Sequence, residues 1–588
     1  MIKIPYGESD FHKLMTENFF YQDRTEFIEK LENWKSDYPV FLRPRRFGKS
    51  LFISTLHHYY GLEYKDDFQK LFGHLYIGQH PTASANNYMV LRFEFSRIDT
   101  STHESTYQSF LSNVLYGAQF FLAAYSELFS ASDKQLILSE TRPEAIVKAI
   151  FKLARNNKIP HKIYLLIDEY DHFANELLSF DMGRFKSSVT ANGFVHKLYE
   201  TFKTATSEGI VDRIFITGVS PITLDSLTSG FNIGNNITLN PIFHNMMGFT
   251  HAEVEAILYE SAISIEKIPE MMSNMAEWYD GYRFSSTAIE DLFNPDMVLY
   301  FLREYSIAQT YPEEMLDTNI MSDYRKIRNI FKIGGAENEK FELLETLIKT
   351  GSISFSLTRT YNLELSFTQD DFLSLLYYMG MLTLKEVKNM RWHFQIPNYV
   401  IKKLYFEYFT SIYLEKTRFA NTRIPLDDAI DNLVNDGNPA PFFKVVEHVL
   451  QENHSTRDEM VYGEKHLQTL MIGILYPFEA YYIHSEYESN HGFPDIFIEK
   501  MPDKPINYEI VLELKYVKKS AVKKTRVKKG AVQGVTGEKS LLEKVVDEAE
   551  TQLDGYMTSE RFSRPDVRGF YVVFLGGNVH KWGEWGKY

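Results

Sequence analysis

Short runs of consecutive apolar residues, separated by longer stretches of helical period, dominate the first half of the chain. Val40-Phe41-Leu42, Met89 to Phe95, Ile163 to Ile167 and Arg213 to Thr217 are the clearest of these runs. Runs of this length predict strands covered on both faces, and their alternation with helix-compatible segments predicts a parallel sheet flanked by helices. This α/β region extends over residues 1–300. From 301 to 454 the period changes: Phe341, Leu343, Leu344, Leu347 and Ile348, then Phe372, Leu375, Leu376 and Met379, recur at helical spacing. Within this helical middle region, helix-like Asp370 to Met379 precedes strand-like Gly380 to Leu384 and Trp392 to Ile396. The unit is either a winged-helix-like module or a plain packing element. Residues 455–588 predict a second, smaller α/β domain. Helical Glu464 to Leu475 comes first, then strands at Asp495 to Ile498, Tyr508 to Tyr516 and Gly569 to Phe574, with helical Leu541 to Tyr556 between the last two.

Composition narrows the function classes. With 44% hydrophobic and 24% charged residues the 588-residue chain is that of a packed globular protein, which excludes disorder as its main state. The absence of cysteine excludes disulfides, thiolate nucleophiles and zinc ribbons, so a bound metal must sit on oxygen or imidazole. No stretch reaches about 18 uninterrupted apolar residues and no basic segment leads an apolar one at the start, so a soluble, cytoplasmic protein without membrane contact is expected. The net charge of −15 requires that any nucleic-acid contact be local.

Two segments predict phosphate chemistry in the first region. Tyr38 to Leu42 reads as a buried strand running into Arg43-Pro44-Arg45-Arg46-Phe47-Gly48-Lys49-Ser50, and Leu51 opens an apolar helix. Strand, tight loop, Gly-Lys-Ser and helix form the context of a P-loop: backbone N–H groups of the loop cradle phosphates, Lys49 carries compensating charge and Ser50 ligates Mg²⁺. Arg43 stands where glycine is usual. Arg43, Arg45 and Arg46 offer forked donors to phosphate oxygens, or pair instead with Asp168, Glu169 or a neighbouring subunit. The second segment, Lys162 to Ile167, ends in Asp168-Glu169, carboxylates at the carboxyl end of a parallel strand, where ligands bind in open α/β sheets. Asp168 is expected to hold Mg²⁺ and Glu169 to polarise the attacking water. At the end of the next strand, Thr217 or Ser220 is either a γ-phosphate sensor or an ordinary strand terminus.

The third region carries a separate constellation. In Val511 to Tyr516 strict alternation puts Glu513 and Lys515 on one face. Asp495 begins a strand that can pair with this one through the turn-rich 501–507, so Asp495 and Glu513 can converge on one Mg²⁺ or Mn²⁺. Two hard oxygen ligands and a lysine suit phosphodiester hydrolysis. Glu464 adds a carboxylate from the preceding helix, and Gln552 and Tyr556, four apart on a later helix, brace the site. Seven of the twelve residues from Lys518 to Lys529 are basic, which reads either as a phosphate-backbone contact or as a solvated insertion.

Taken together, the RPRRFGKS loop, Ile167 to Asp171, Tyr21 to Thr25 and the aromatic Trp278-Tyr279-Asp280-Gly281-Tyr282-Arg283-Phe284 resemble the bacterial AAA-ATPase-like proteins that carry a C-terminal PD-(D/E)XK nuclease-like domain. The resemblance covers nearly the whole chain. It implies a P-loop ATPase of the additional-strand type in which the Arg-rich loop is the usual form, and a nuclease fold whose Glu464, Asp495, Glu513, Lys515 and Gln552 stand in the family's order. The WYDGYRF stretch reads as core more readily than as chemistry, with Arg283 a candidate nucleotide contact. The expected function is an ATP-dependent, Mg²⁺-dependent nuclease acting on DNA or RNA, with defence against foreign nucleic acid as an analogy and homo-oligomers as a way to complete the ATPase site. The competing expectation is a nucleotide-switched regulator or sensor whose nuclease-like domain only binds.

Overall fold

The computed structural model describes residues 2–587 apart from 181–182, 184–192, 223–231, 262, 318–320, 322–336, 362–366, 390, 417–422, 453–462, 477, 479, 486, 488–491, 502–503, 505 and 523–540. The chain divides into two compact units, Met1–Gln309 with Leu316–Ile401, and Thr310–Met315 with Lys402–Tyr588. The helical stretch 301–454 is therefore shared between them and forms no compact unit of its own.

In the first unit, β1 (Pro39–Leu42), β2 (Tyr88–Glu94), β3 (Lys162–Asp168), β4 (Val211–Gly218) and β5 (Asn235–Asn236) form a parallel sheet in the order β2-β3-β4-β1-β5. All four residues of β1, and Ile163 to Asp168 of β3, are buried, which explains their near-continuous apolar runs. Alternation along β2 shows that helices cover both faces. Tyr88 meets Tyr60 of the helix Lys49–Tyr60 at 5.8 Å, whereas Phe93, of opposite parity, meets Phe202 of the helix Phe194–Ser207 at 6.0 Å. Because β4 lies between β1 and β3, the ends of the phosphate-loop strand and the Asp168 strand flank the end of β4, the crevice in which open α/β sheets bind ligands.

The same unit contains the helix Gln369–Tyr378, capped by Thr368 with Asp371, and the hairpin of β7 (Thr383–Lys388) and β8 (Arg391–Gln395). The helix and hairpin are those expected from the sequence. A short strand, β6 (Ile353–Phe355), adds to β8 to give a β6-β8-β7 sheet.

The second unit has a sheet of order β13-β12-β11-β10-β9, built from β9 (Tyr481–Ser485), β10 (Ile496–Lys500), β11 (Glu509–Val517), β12 (Val567–Leu575) and β13 (Asn578–Glu584). Only β11 and β12 run parallel; the other neighbours are antiparallel. The helix Leu541–Met557 buries Val546, Ala549, Leu553 and Met557 in the core of this sheet. Pairing of Ile496 with Leu512 sets the register that carries Asp495 opposite Glu513. The edge strands β9 and β13 were not expected, because His484 and Lys581 interrupt their apolar patterns.

Candidate active sites

The first site lies at the carboxyl ends of β1 and β3. Gly48 takes a left-handed φ of 87° at the N-cap of the helix Lys49–Tyr60, a conformation that turns the loop into the helix and that glycine adopts without a Cβ penalty. Arg46 (φ 70°) and Glu169 (φ 49°) hold the same unusual region with side chains, so the backbone on both sides of the crevice is strained. A cavity of about 400 Å³ opens here, bordered by Arg45 through Phe52, Glu169, His172 and the apolar Met246, Met247 and Phe249. Its apolar wall and phosphate loop suit a nucleotide.

Lys49 folds back onto the loop, donating to the carbonyls of Arg43 (3.0 Å) and Pro44 (2.8 Å), and burial lowers its pKa. Asp168 is fully buried, and burial first, then the neighbouring Glu169, pushes its carboxyl up to about 6. Among the described residues neither of its oxygens has a hydrogen bond of ordinary geometry, although the Ser50 hydroxyl is close enough to offset part of the rise. A buried carboxylate with both oxygens unsatisfied beside a hydroxyl fits a hard divalent cation, and Ser50 and Asp168 are the residues that would hold Mg²⁺. Glu169 is also raised, chiefly by burial, and its Oε2 lies 3.3 Å from His172 Nδ1, which in turn is 3.3 Å from Arg45. Thr217 is buried between β1 and β3 with an unpartnered hydroxyl among the described residues, opposite Phe41 in register.

Several expectations for this loop are corrected. Arg43 does not turn its side chain to a nucleotide. Its guanidinium is 1% exposed, donates to the carbonyls of Leu42, Thr238, Phe243 and His244, and lies over the rings of Phe41 and Phe284 at 4.1 and 4.0 Å. Four carbonyls and two aromatic faces compensate its desolvation, so it anchors the loop from behind. The Phe47 ring is likewise buried, edge-on to Tyr282 (5.0 Å) and Phe284 (5.5 Å). Arg46 pairs with Asp296 at 3.3 Å while bordering the cavity. Ser220 is committed to Asp171 Oδ2 (3.0 Å) and Asn175 Oδ1 (2.7 Å), which leaves Thr217 as the remaining sensor candidate. The WYDGYRF stretch is core, as expected, with Trp278, Tyr279 and Tyr282 buried, whereas Arg283, the candidate nucleotide contact, binds Asp291 at 2.6 Å instead of bordering the cavity.

Asp171 was not anticipated as a structural hub. It accepts from the backbone N–H groups of Val219 (3.0 Å) and Ser220 (2.6 Å) and from Asn175 (2.6 Å), tying the end of β3 to the end of β4. His172 was missed too. Both follow directly on the Asp168-Glu169 pair, the one signal that pointed to them.

The second site is built on β10 and β11. Asp495 accepts from the Leu514 N–H at 2.7 Å, and Gln468 of the helix Glu464–Leu475 donates to the Asp495 carbonyl at 2.6 Å. Lys515 Nζ binds Glu513 at 2.6 Å and lies 3.7 Å from Glu464. The Tyr556 hydroxyl reaches Glu513. Burial first, then the facing Glu513, raises the pKa of Asp495, and burial likewise raises Glu513, whereas the surrounding carboxylates raise Lys515. Gln552 shares a helix face with Tyr556, and its Oε1 is buried without a partner among the described residues. Glu464, Asp495, Glu513 and Lys515 are thus brought together. A half-buried and a buried carboxylate that face one another, Asp495 and Glu513, suit an oxygen-ligated cation, for which they are the available donors. Among the described residues no group of three or more imidazoles and carboxylates is arranged around one cation position. Of the basic segment, residues 523–540 lie outside the described residues. His484 is paired with Glu499 (2.7 Å) and His57 with Glu63 (3.0 Å).

The sheet order, phosphate loop and acidic strand end of the first unit define a P-loop nucleotide-binding protein, and the second unit adds a nuclease-like sheet. Comparison with known proteins agrees. Residues 5–228 match the family described as predicted AAA-ATPase, and residues 462–581 match the PD-(D/E)XK nuclease superfamily. The chain joins an AAA-ATPase-like N-terminal domain to a PD-(D/E)XK nuclease-like C-terminal domain. It is similar to the uncharacterized protein in the vnfD 5'region of Azotobacter chroococcum mcd 1, at 24% identity over 410 residues, 68% of each chain. A more distant likeness is to the Walker-type ATPase PABY2304 of Pyrococcus abyssi, at 12% identity and a TM-score of 0.36, covering 66% of this chain and 96% of that one. Among the described residues no helix is long and apolar enough to cross a membrane.

Proposed function

We propose that the protein is an ATP-dependent nuclease, in which ATP binding and hydrolysis in the first unit govern phosphodiester cleavage by the second. The observation that carries this reading is the pair of separate sites, each with one buried and one half-buried carboxylate raised in pKa, one beside a phosphate loop and one beside a lysine. At the first site the loop N–H groups and Lys49 bind phosphates, Arg45 and Arg46 border them, Thr217 reports on the γ-phosphate, and Glu169, steadied by His172, takes the proton of the attacking water. At the second, Lys515 stabilises charge on the scissile phosphate, while Glu464, Gln552 and Tyr556 orient Lys515 and Glu513. Mg²⁺, or Mn²⁺ at the second site, supplies Lewis-acid charge and lowers the pKa of water when bound. A role against foreign nucleic acid fits this pair of activities.

A competing reading is a nucleotide-switched binder. It is favoured by Lys515 already neutralising Glu513 and by the absence of a three-ligand cluster among the described residues. A cleavage panel of single- and double-stranded DNA and RNA, with ATP, a non-hydrolysable analogue or no nucleotide, decides between them. Nuclease activity that Lys515→Ala abolishes while ATP turnover persists, and that Glu169→Gln uncouples from ATP, supports the first. No hydrolysis with either metal under any nucleotide condition supports the second.

A further inference from the structure

A second cavity, of about 510 Å³, lies in the first unit beside the β6-β8-β7 sheet, away from the phosphate loop. Its walls include Ser354, Ser356, Arg359, Asp370, Arg391 and Trp392. The indole of Trp392 is half-buried, and the Arg359 guanidinium lies 5.8 Å from its ring centroid. Arg359 and Arg391 are exposed, and among the described residues neither has an ion-pair partner. Two of its polar groups are already engaged within the unit: Ser354 pairs with His393 at 2.7 Å, and Asp370 accepts from the Ser356 N–H at 3.3 Å. Two guanidinium groups against one engaged carboxylate leave the cavity electropositive in a chain of net charge −15, and Lys385 and Lys388 on the same hairpin outnumber Glu386.

We infer that this cavity is a binding site for single-stranded nucleic acid, with one unstacked base against Trp392 and the flanking phosphates on Arg359 and Arg391. The volume falls in the range of roughly 300–1,000 Å³ common for ligand sites. An aromatic wall inside a cavity recognises a base only when it is free of its partner strand, whereas a duplex would present phosphates alone, leaving Trp392 unused. The inference concerns a site in the unit that does not carry the nuclease residues, and it goes beyond the proposed ATPase and nuclease chemistry.

The test uses the full chain in EDTA without nucleotide, so that no cleavage intervenes, and fluorescent oligothymidylate as the probe. Arg359→Gln with Arg391→Gln is expected to weaken single-strand binding about tenfold and to lower the slope of log K against log salt by about 1 to 2, with duplex binding little changed. Oligothymidylate substituted with iodouracil is expected to photocrosslink to the peptide bearing Trp392. Both arginines are exposed, so the double variant folds, and circular dichroism confirms this. Wild-type affinity in the double variant, crosslinks confined to other peptides, an equal loss for duplex and single strand, or displacement of the probe by polyglutamate as readily as by unlabelled strand would each overturn the inference. Loss of cleavage in Lys515 variants, read in Mg²⁺, reports only on the nuclease reading and leaves this one standing or falling by itself.

Discussion

Arg43 shows how one residue can carry a different task from the one its neighbours suggest. It sits in a phosphate loop, yet its guanidinium is sealed among four carbonyls and two rings, and burial lowers its pKa only to about 9, so it remains charged at neutral pH. Arg43→Ala would leave those carbonyls unsatisfied and should reduce the unfolding free energy by about 3 kcal/mol. Lysine cannot reproduce the fork, so Arg43→Lys should lose most of the same amount. Urea unfolding measures both, and a loss below about 0.5 kcal/mol would mean the cage is not structural. Asp495 behaves in the opposite way. Its raised pKa marks a carboxylate whose charge the folded protein disfavours, and stability from such an acid falls as pH rises from its unfolded pKa through its folded one. Asp495→Asn keeps an acceptor for the Leu514 N–H and removes the conflict with Glu513. In EDTA near pH 8 it should therefore stabilise the protein by about 1 kcal/mol while abolishing stabilisation by Mg²⁺. A variant less stable than wild type in EDTA would refute this.

Among elements, the phosphate loop is held by packing where a glycine-rich loop would rely on its own turns. Pro44 lies against Gly380, where an added Cβ would come within 2.9 Å of the proline and φ is 79°, and Phe47 packs on Tyr282 and Phe284. The aromatic WYDGYRF segment and the end of the helix Gln369–Tyr378 thus form the floor under the loop. On the other side Asp171 joins the ends of β3 and β4. Asp171→Ala strands the N–H groups of Val219 and Ser220 and should cost about 2 kcal/mol, with a fall in ATP turnover as the Thr217 end of β4 loosens. Asp171→Asn, which retains an acceptor, should recover part of both. Unchanged melting and turnover in Asp171→Ala would remove it from this role.

For the molecule as a whole, two buried imidazoles set an acid limit. His58 and His244 are each lowered from 6.5 to about 4, chiefly by burial, and His244 further by the adjacent Arg43. The folded protein holds both neutral, so the unfolded chain binds more protons between about pH 6.5 and 4. The contribution of these two histidines is therefore complete above about 6.5 and should fall by about 3 kcal/mol per histidine as pH drops through that window. Urea midpoints across pH for wild type and for His58→Gln with His244→Gln test this: the double variant should show the flatter profile, and superimposable profiles would exclude the two histidines as the cause.

Local pattern was enough to read the first four parallel strands and the helix and hairpin at 369–395, and to single out the Gly48-Lys49-Ser50 loop, the Asp168-Glu169 strand end and the Glu513-Lys515 face, because buried strands and helix faces leave periodic apolar traces and because loop, strand and helix adjacency is written in consecutive residues. Short or exposed-edge strands such as β6, β9 and β13 left no such trace. The absence of cysteine already required oxygen or imidazole donors for any metal, and the net charge already required that contacts with nucleic acid be local. Which side chains face those donors was settled only by folding. Arg43 and Arg45 stand two residues apart, yet one is caged by carbonyls from 238 to 244 and the other reaches His172. Asp495 and Glu513 become neighbours only through the β10-β11 register, and Arg359 meets Trp392 only because β6 adds to β8. Burial, pairing and pKa depend on groups distant in the chain, and a linear pattern carries no record of those distances.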